Sequence, residues 1–501
     1  MTDNKQLPTK TKTKTTKNAS AKSANRRPGK QPQPSSGGQA AAGGRKKRTP
    51  REVALDTLVR VAESGAYSNL QLNRALQDAD LPRADAALAT ELVYGTIQRQ
   101  ATLDHWLGKF VAKGLHKLEP WVHQLLRMSA YQLLYLDRIP PHAAVNEAVT
   151  IAKRRGHSGI SGMVNGVLRS VDRGRAELTE ASISSSRPAE ELALRHSYPE
   201  WLVQRWIDSY GISTAEAICR AGNEQPHSSL RVNRLRLSRE EALSRLAEEQ
   251  YDAAPSPAAP AGIVVKRGGN LADTIEYRDG LWTVQDESSM LVAEVVAPQA
   301  GMKVLDCCAA PGGKTTHMAE LMQNKGKVWA NDLHPHKRDL INEQSARLGL
   351  NNVEAITEDA MKLGDRFAPA SMDAVLLDAP CSGLGVIRRK PEIKWTKSLA
   401  DIHAIAKLQS SLLDAVCPLV KPGGVLVYST CTIELEENEE QIRSFLSRHP
   451  EFVLDLEWPE EVLQRLTEAG AIDSSFDGQA QLLPQHYGSD GFYIARMRRQ
   501  A

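Results

Sequence analysis

The sequence predicts three folded parts: an α/β domain with a mostly parallel sheet at the C-terminus, a small α+β unit before it, and an all-helical bundle towards the N-terminus. Three observations lead there. After residue 300, short apolar runs alternate with helix-length segments and repeatedly end in an acid, as in Val304-Leu305-Asp306 and Val375-Leu376-Leu377-Asp378. That is the pattern of buried parallel strands joined by helices. Between residues 50 and 175, apolar residues recur at helical spacing with no strand-like alternation. Ahead of both lies a stretch of Lys, Thr, Ser, Gly, Pro and Gln with almost no core formers.

The chain of 501 residues is 41% hydrophobic and 25% charged, as in a globular protein with real cores. Its formal charge of +3 conceals an asymmetry. Residues 1–50 carry 13 Lys and Arg against the single acid Asp3, a net +12, which leaves −9 on the remainder. A polyanion would therefore meet local basic patches on a mildly acidic body. Six cysteines without a C-x-x-C pair argue against a disulfide framework or structural zinc, and no metal is expected. They point to a reducing compartment. With no leader-like or membrane-length apolar run, a cytoplasmic protein without a membrane segment is expected.

In chain order, residues 1–48 read as a disordered basic tail, densest at Arg45-Lys46-Lys47-Arg48. It serves either as a solubilising arm or as a non-specific RNA arm. Residues 49–178 form the helical domain, with apolar faces such as Val53, Leu55, Leu58 and Leu103, Trp106, Leu107. A helical connector spans 179–228. The small unit, 229–284, contains a strand at Ser229–Asn233, a helix from Ser238 to Glu248, an Ala/Pro-rich loop at Tyr251–Ala261 and a strand at Ile263–Val265. Arg231, Arg234 and Arg236 alternate there as on one strand face, a candidate RNA-facing sheet. In the α/β domain, 285–501, five strands are expected at 304–306, 327–331, 353–357, 374–377 and 425–429. A late strand follows at 491–495, and Pro422-Gly423-Gly424 is expected to stop the helix before the fifth strand.

The turn Cys307-Cys308-Ala309-Ala310-Pro311-Gly312-Gly313-Lys314 follows the first of these strands and opens a helix, leaving backbone N–H groups free. It lacks the G-x-G-x-x-G dinucleotide spacing, and Cys308 stands where a phosphate loop needs glycine. S-adenosylmethionine remains by elimination. Asp332, 19 residues after Gly313, is placed for ribose hydroxyls, and Asp359 for an adenine amino group. Any one strand-end acid is ordinarily a helix cap, but Asp306, Asp332, Asp359 and Asp378 follow the order a nucleoside site needs.

Cys381, in Asp378-Ala379-Pro380-Cys381-Ser382-Gly383, follows the fourth strand, and Cys431, in Ser429-Thr430-Cys431-Thr432, follows the fifth. If those strands are neighbours, both thiols open onto one crevice. Addition of a thiolate to carbon 6 of a pyrimidine makes carbon 5 nucleophilic enough to accept a methyl group. A base must then remove the carbon-5 proton. Two thiols can divide those duties, and spacing alone does not say which does which.

Two resemblances follow. Ala144-Val145-Asn146-Glu147-Ala148-Val149 and Val164-Asn165-Gly166-Val167-Leu168 resemble the NusB family of helical RNA-binding proteins, which implies RNA contact through Lys153, Arg154 and Arg155. From about residue 50 onward, the Ala309–Thr315 turn and the two cysteine motifs resemble RsmB/Sun-type ribosomal RNA cytosine-C5 methyltransferases. That resemblance implies a Rossmann-like S-adenosylmethionine-dependent methyltransferase domain preceded by an RNA-recognition-like unit. It implies Cys431 as nucleophile and Cys381 as the residue assisting release. It further implies a cofactor site of Cys308, Ala309, Ala310, Pro311, Gly312, Gly313, Lys314, Asp332, Asp359 and Asp378. Arg388, Arg389 and Lys390 would suit RNA phosphates. The expected partner is small-subunit ribosomal RNA or an assembly intermediate, met by a monomer. Two rivals stand beside this: a P-loop NTPase built on Gly313-Lys314-Thr315, and a non-catalytic RNA-binding assembly or antitermination factor.

Overall fold

The computed structural model describes residues 48–267 and 269–501. Residues 1–47, almost the whole of the expected basic tail, lie outside them. Seven helices from Pro50–Ser64 to Ser158–Arg173 build the N-terminal bundle around Leu55, Leu92, Leu125 and Val164. The first begins with a capping box between Thr49 and Glu52, which satisfies two of the backbone N–H groups that a helix start leaves open. The helix Ser68–Ala79 is not evident in the periodicity, because Leu72 and Ala75 are its only buried apolar residues. The connector proves to be part of the core. Its helices Pro188–His196, Glu200–Tyr210 and Ile212–Ala221 share one apolar cluster with Leu384, Ile393 and Ile433 of the α/β domain.

The small unit has strands β1 (Ser228–Val232), β2 (Asp252–Pro255), β3 (Gly262–Arg267) and β4 (Trp282–Val284), antiparallel in the order β2-β3-β1-β4. β2 falls inside the stretch expected to be a loop, where it pairs with β3 as an edge strand and tolerates Pro255 at its end. The expected RNA-facing sheet is corrected here. β1 ends at Val232, before Arg234 and Arg236, and Arg231 is completely buried. Its guanidinium pairs with Glu320 at 2.8 Å, and donates to Thr316 Oγ1 at 3.0 Å, to the Gly313 carbonyl at 2.6 Å and to Gln285. It braces the helix Gly313–Leu321 and cannot reach RNA.

The third part holds β5 (Lys303–Asp306), β6 (Lys327–Asp332), β7 (Val353–Thr357), β8 (Met372–Asp378), β9 (Val420–Thr430), β10 (Phe452–Leu454), β11 (Gln479–Leu482) and β12 (Phe492–Arg499). The order is β10-β12-β9-β8-β5-β6-β7, with β11 on β12. The five strands β5 to β9 are mutually parallel, and the last three are antiparallel additions. Pro422-Gly423-Gly424 does not stop the preceding helix. That helix, Leu399–Val416, ends before Pro418, which has no N–H to continue it, and residues 421–424 bulge out of β9 opposite Asp373. Among the described residues, no helix is long and apolar enough to cross a membrane.

Arg231→Ala would leave Glu320 buried without its cation, a loss of about 3–5 kcal/mol. Urea denaturation should show that loss, while the RNA affinity of the folded variant, measured by filter binding, stays unchanged.

Candidate active site

The order of the parallel strands reverses between β5 and β8, and ligands of such sheets bind beyond the strand ends at that reversal. A cleft of about 610 Å³ lies there, within the size range of small-molecule sites. Cys308 and Ala310 line it from the turn after β5, Asp332 from the end of β6, Asp359 after β7, Asp378 from the end of β8, Cys381 after β8, and Cys431 after β9. β8 and β9 are neighbours in a register that sets Asp378 opposite Ser429, so the two cysteine loops leave the sheet side by side. The sulfurs of Cys381 and Cys431 are 3.2 Å apart, and both thiols are free and half-buried. Their shared hydrogen bond, with burial, pushes the Cys381 thiol well above its ordinary value.

A close backbone approach keeps these loops together. Gly385 N–H donates to the Cys431 carbonyl at 3.0 Å, and Gly491 N–H to the Gly385 carbonyl at 2.8 Å. A Cβ on Gly385 would stand 2.1 Å from the Gly491 carbonyl oxygen, so only glycine fits. Glu437, fully buried, accepts from Ser382 N–H at 2.8 Å and Gln409 Nε2 at 3.0 Å.

Ala309, Pro311, Gly312, Gly313 and Lys314 shape the turn and do not line the cleft. Ala309 packs with Ala330 and Ile341, Pro311 is exposed, and Gly312 adopts φ +104° ahead of the helix that Gly313 begins. Lys314 reaches across to Asp378 at 2.8 Å, and Ser429 Oγ donates to the other Asp378 oxygen at 2.8 Å. Burial works to lower the Lys314 ammonium, yet the negative groups around it, Asp378 foremost with Cys431 and Asp306, hold it above its ordinary value. Asp359 caps the short turn after β7 through Met361 N–H, the ordinary role of a strand-end acid, while still lining the cleft.

The cleft suits a nucleoside-bearing ligand. Asp332 receives His334 N–H and Lys337 on Oδ1 only, which leaves Oδ2 for a hydroxyl. Asn331, which sequence reasoning missed, also lines the cleft; its Nδ2 donates to the Cys307 and Glu358 carbonyls, and its Oδ1 is buried without a partner. A polar residue one place before the strand-end acid was its only sequence signal.

Two predicted RNA contacts are corrected. Arg388 is buried and donates to the Ser489 and Gln225 carbonyls, while Arg389 pairs with Asp286 at 2.8 Å and Asp490 at 3.0 Å. Through the Gln225 and His227 carbonyls, Arg388 and Arg389 also hold the α/β domain to the end of the connector. Lys390 does line the cleft. On the helical domain, Arg154 and Arg155 pair with Glu52 and Asp56, and Lys153 is exposed.

Strand order, switch-point cleft and paired thiols define a Rossmann-like methyltransferase domain. The 16S rRNA methyltransferase RsmB/F family model matches residues 293–498, the NusB family model 48–173, and the RsmF/B-like ferredoxin-like domain 198–272. A probable ribosomal RNA small subunit methyltransferase B of Bacillus subtilis is 45% identical over 455 residues, 91% of this chain and 100% of that protein. Its counterpart in Synechocystis is 36% identical over 90% of this chain and 99% of its own length. The crystal structure of PH0851 aligns with a TM-score of 0.73 at 29% identity, covering 90% of this chain and 99% of that one. The chain belongs to the RsmB/F family of ribosomal RNA small subunit methyltransferases.

Asp306 offers a pH test of the turn. It is fully buried, accepts from Thr315 Oγ1 at 2.6 Å, and burial raises it from 3.8 to about 7. A carboxyl raised on folding favours the folded state at low pH, and that contribution is lost as pH climbs through the folded value. Asp306→Asn should therefore gain stability relative to the native chain, by roughly 2–3 kcal/mol between pH 5 and pH 8, in thermal melts across that range.

Proposed function

We propose that this chain transfers a methyl group from S-adenosylmethionine to carbon 5 of a cytosine in small-subunit ribosomal RNA, with Cys431 as covalent nucleophile and Cys381 assisting release. The observation that carries this reading is the pair of sulfurs 3.2 Å apart at the switch-point cleft. Membership of a ribosomal RNA methyltransferase family supports it. The phosphate-loop rival is weakened by Cys308 in place of glycine and by Lys314 paired with Asp378 instead of standing free for phosphate.

The backbone turn from Cys308 to Lys314, with Asp332, Asp359 and Asp378, would hold S-adenosylmethionine, which supplies an electrophilic methyl group on a sulfonium. Cys381 keeps its proton, because the hydrogen bond to Cys431 and burial favour its neutral form. Cys431 is then the sulfur free to attack. A bond between Cys431 Sγ and cytosine carbon 6 moves an electron pair to carbon 5, which becomes the nucleophile. Asp378, fixed by Lys314 and Ser429, has lone-pair capacity left to accept from the exocyclic amine of cytosine. Carbon 5 would take the methyl group as that group's bond to the donor sulfur breaks. With Cys431 now bonded to carbon 6, the hydrogen bond that held the Cys381 proton is gone; Cys381 gives that proton to solvent and takes the one on carbon 5. The Sγ–carbon bond then breaks, its electron pair returns to Cys431, and the ring is restored. The base must leave its stack to reach these groups, which favours single-stranded or loop RNA.

Bisulfite mapping of ribosomal RNA from a strain lacking the gene should show one small-subunit cytosine without its methyl group. The native chain should restore it. Cys431→Ala should not, with a rate lower by about a thousandfold or more; restoration at a normal rate by that variant would remove Cys431 from its role.

A further inference from the structure

Tyr67 lines the same cleft as Cys381 and Cys431, yet it comes from the helical domain. Its ring is half exposed, at 50%, and the ammonium of Lys390 lies 5.4 Å from its centroid. The residue is the N-cap of the helix Ser68–Ala79 and supplies no side-chain cap. The cap comes instead from the α/β domain. Glu392 accepts from Ser68 N–H at 3.1 Å and from Ser68 Oγ at 2.7 Å, with both residues buried. A buried carboxylate at a helix start satisfies its open N–H groups and opposes its dipole. Nearby, Trp395 Nε1 donates to the Ile97 carbonyl and Lys394 Nζ to the Gln98 carbonyl, both at 2.9 Å. The segment following Cys381 is thus bolted to the helical domain through Ser68, next in sequence to Tyr67, and through Ile97 and Gln98, and the Tyr67 ring lines the cleft half exposed. Lys390, which lies over the ring, belongs to that segment and not to the strand ends that carry Asp332 and Asp359.

A half-exposed aromatic beside a lysine, rigidly held, matches the way proteins grip single-stranded nucleic acid: the ring stacks on a base and the cation meets a phosphate. We infer that Tyr67 stacks on a nucleotide flanking the target cytosine, with Lys390 on its phosphate, so that RNA is clamped between the helical and α/β domains. This rests on the methyltransferase reading above.

The full-length chain is assayed for methyl transfer to unmodified 16S transcript, and separately for equilibrium binding of that transcript without cofactor. Tyr67→Ala is expected to raise KM and Kd for RNA by roughly 5- to 100-fold, with the KM for S-adenosylmethionine and the melting temperature unchanged. Tyr67→Phe, which keeps the ring, is expected to behave as the native chain. Lys390→Ala is expected to weaken binding and to flatten the salt dependence by about one counterion. Unchanged RNA binding in Tyr67→Ala overturns the inference. So does a defect confined to S-adenosylmethionine, which would place the ring at the cofactor end, or equal loss in Tyr67→Phe. A native chain that binds RNA in a Tyr67-dependent way but transfers no methyl group would count against the methyltransferase reading and leave the clamp standing.

Discussion

One buried carboxylate, Glu437, determines how the cysteine loops meet. It accepts from Ser382 N–H beside one sulfur, and lies 3.4 Å from the Thr432 hydroxyl beside the other, which in turn bonds Ser382 Oγ at 2.8 Å. Its backbone carbonyl accepts from Tyr428 OH on β9. Burial pushes its carboxyl up, while the hydrogen bonds from Ser382 and Gln409 pull it back. A buried acid is costly unless its lone pairs are filled, and here the filling comes from both loops that carry the thiols, through Ser382 and Thr432, and from Gln409 on the helix Leu399–Val416. The sulfurs are therefore brought together by the same interactions that make the acid tolerable. Gly385, with no room for a Cβ, closes the arrangement from the backbone side.

The same logic extends outward. The turn after β5 is held by Arg231, which enters from the small unit and bonds the Gly313 carbonyl and Glu320. The segment after Cys381 is held from the side by the helical domain through Ser68, Ile97 and Gln98. Arg388 and Arg389 tie the same segment to Asp490, Ser489 and the end of the connector. The helical domain and the small unit thus act on the cleft by fixing its walls. Arg231, Arg388 and Arg389, which looked like part of an RNA surface, are committed to this internal bracing, whereas Lys153 and Arg154 are exposed and Lys390 lines the cleft.

What the sequence makes legible is local. A strand end followed by an acid and a turn is set by neighbouring residues, so Asp306, Asp332, Asp359, Asp378 and the cysteine positions can be placed from the order of residues alone. The Lys314-to-Asp378 pair, the Glu437 network and the Ser68 cap join residues 64, 55 and 324 positions apart, and no periodicity reports such contacts. Arg231 is easily misread because alternation along a strand gives two faces but not which one is buried. The helix that Tyr67 precedes escapes notice for a related reason: its buried apolar face is only two residues wide, and Leu70 is exposed on the other side, which blurs the periodicity.

The central claim is that one sulfur bonds the pyrimidine while its neighbour handles the proton. It is tested most directly with 16S transcript containing 5-fluorocytidine, whose carbon-5 fluorine cannot leave as a proton. Peptide mass spectrometry of the reaction with S-adenosylmethionine should find the nucleotide attached to Cys431 and to no other residue. Attachment to Cys381, or no adduct from a chain that methylates ordinary transcript, would contradict the account.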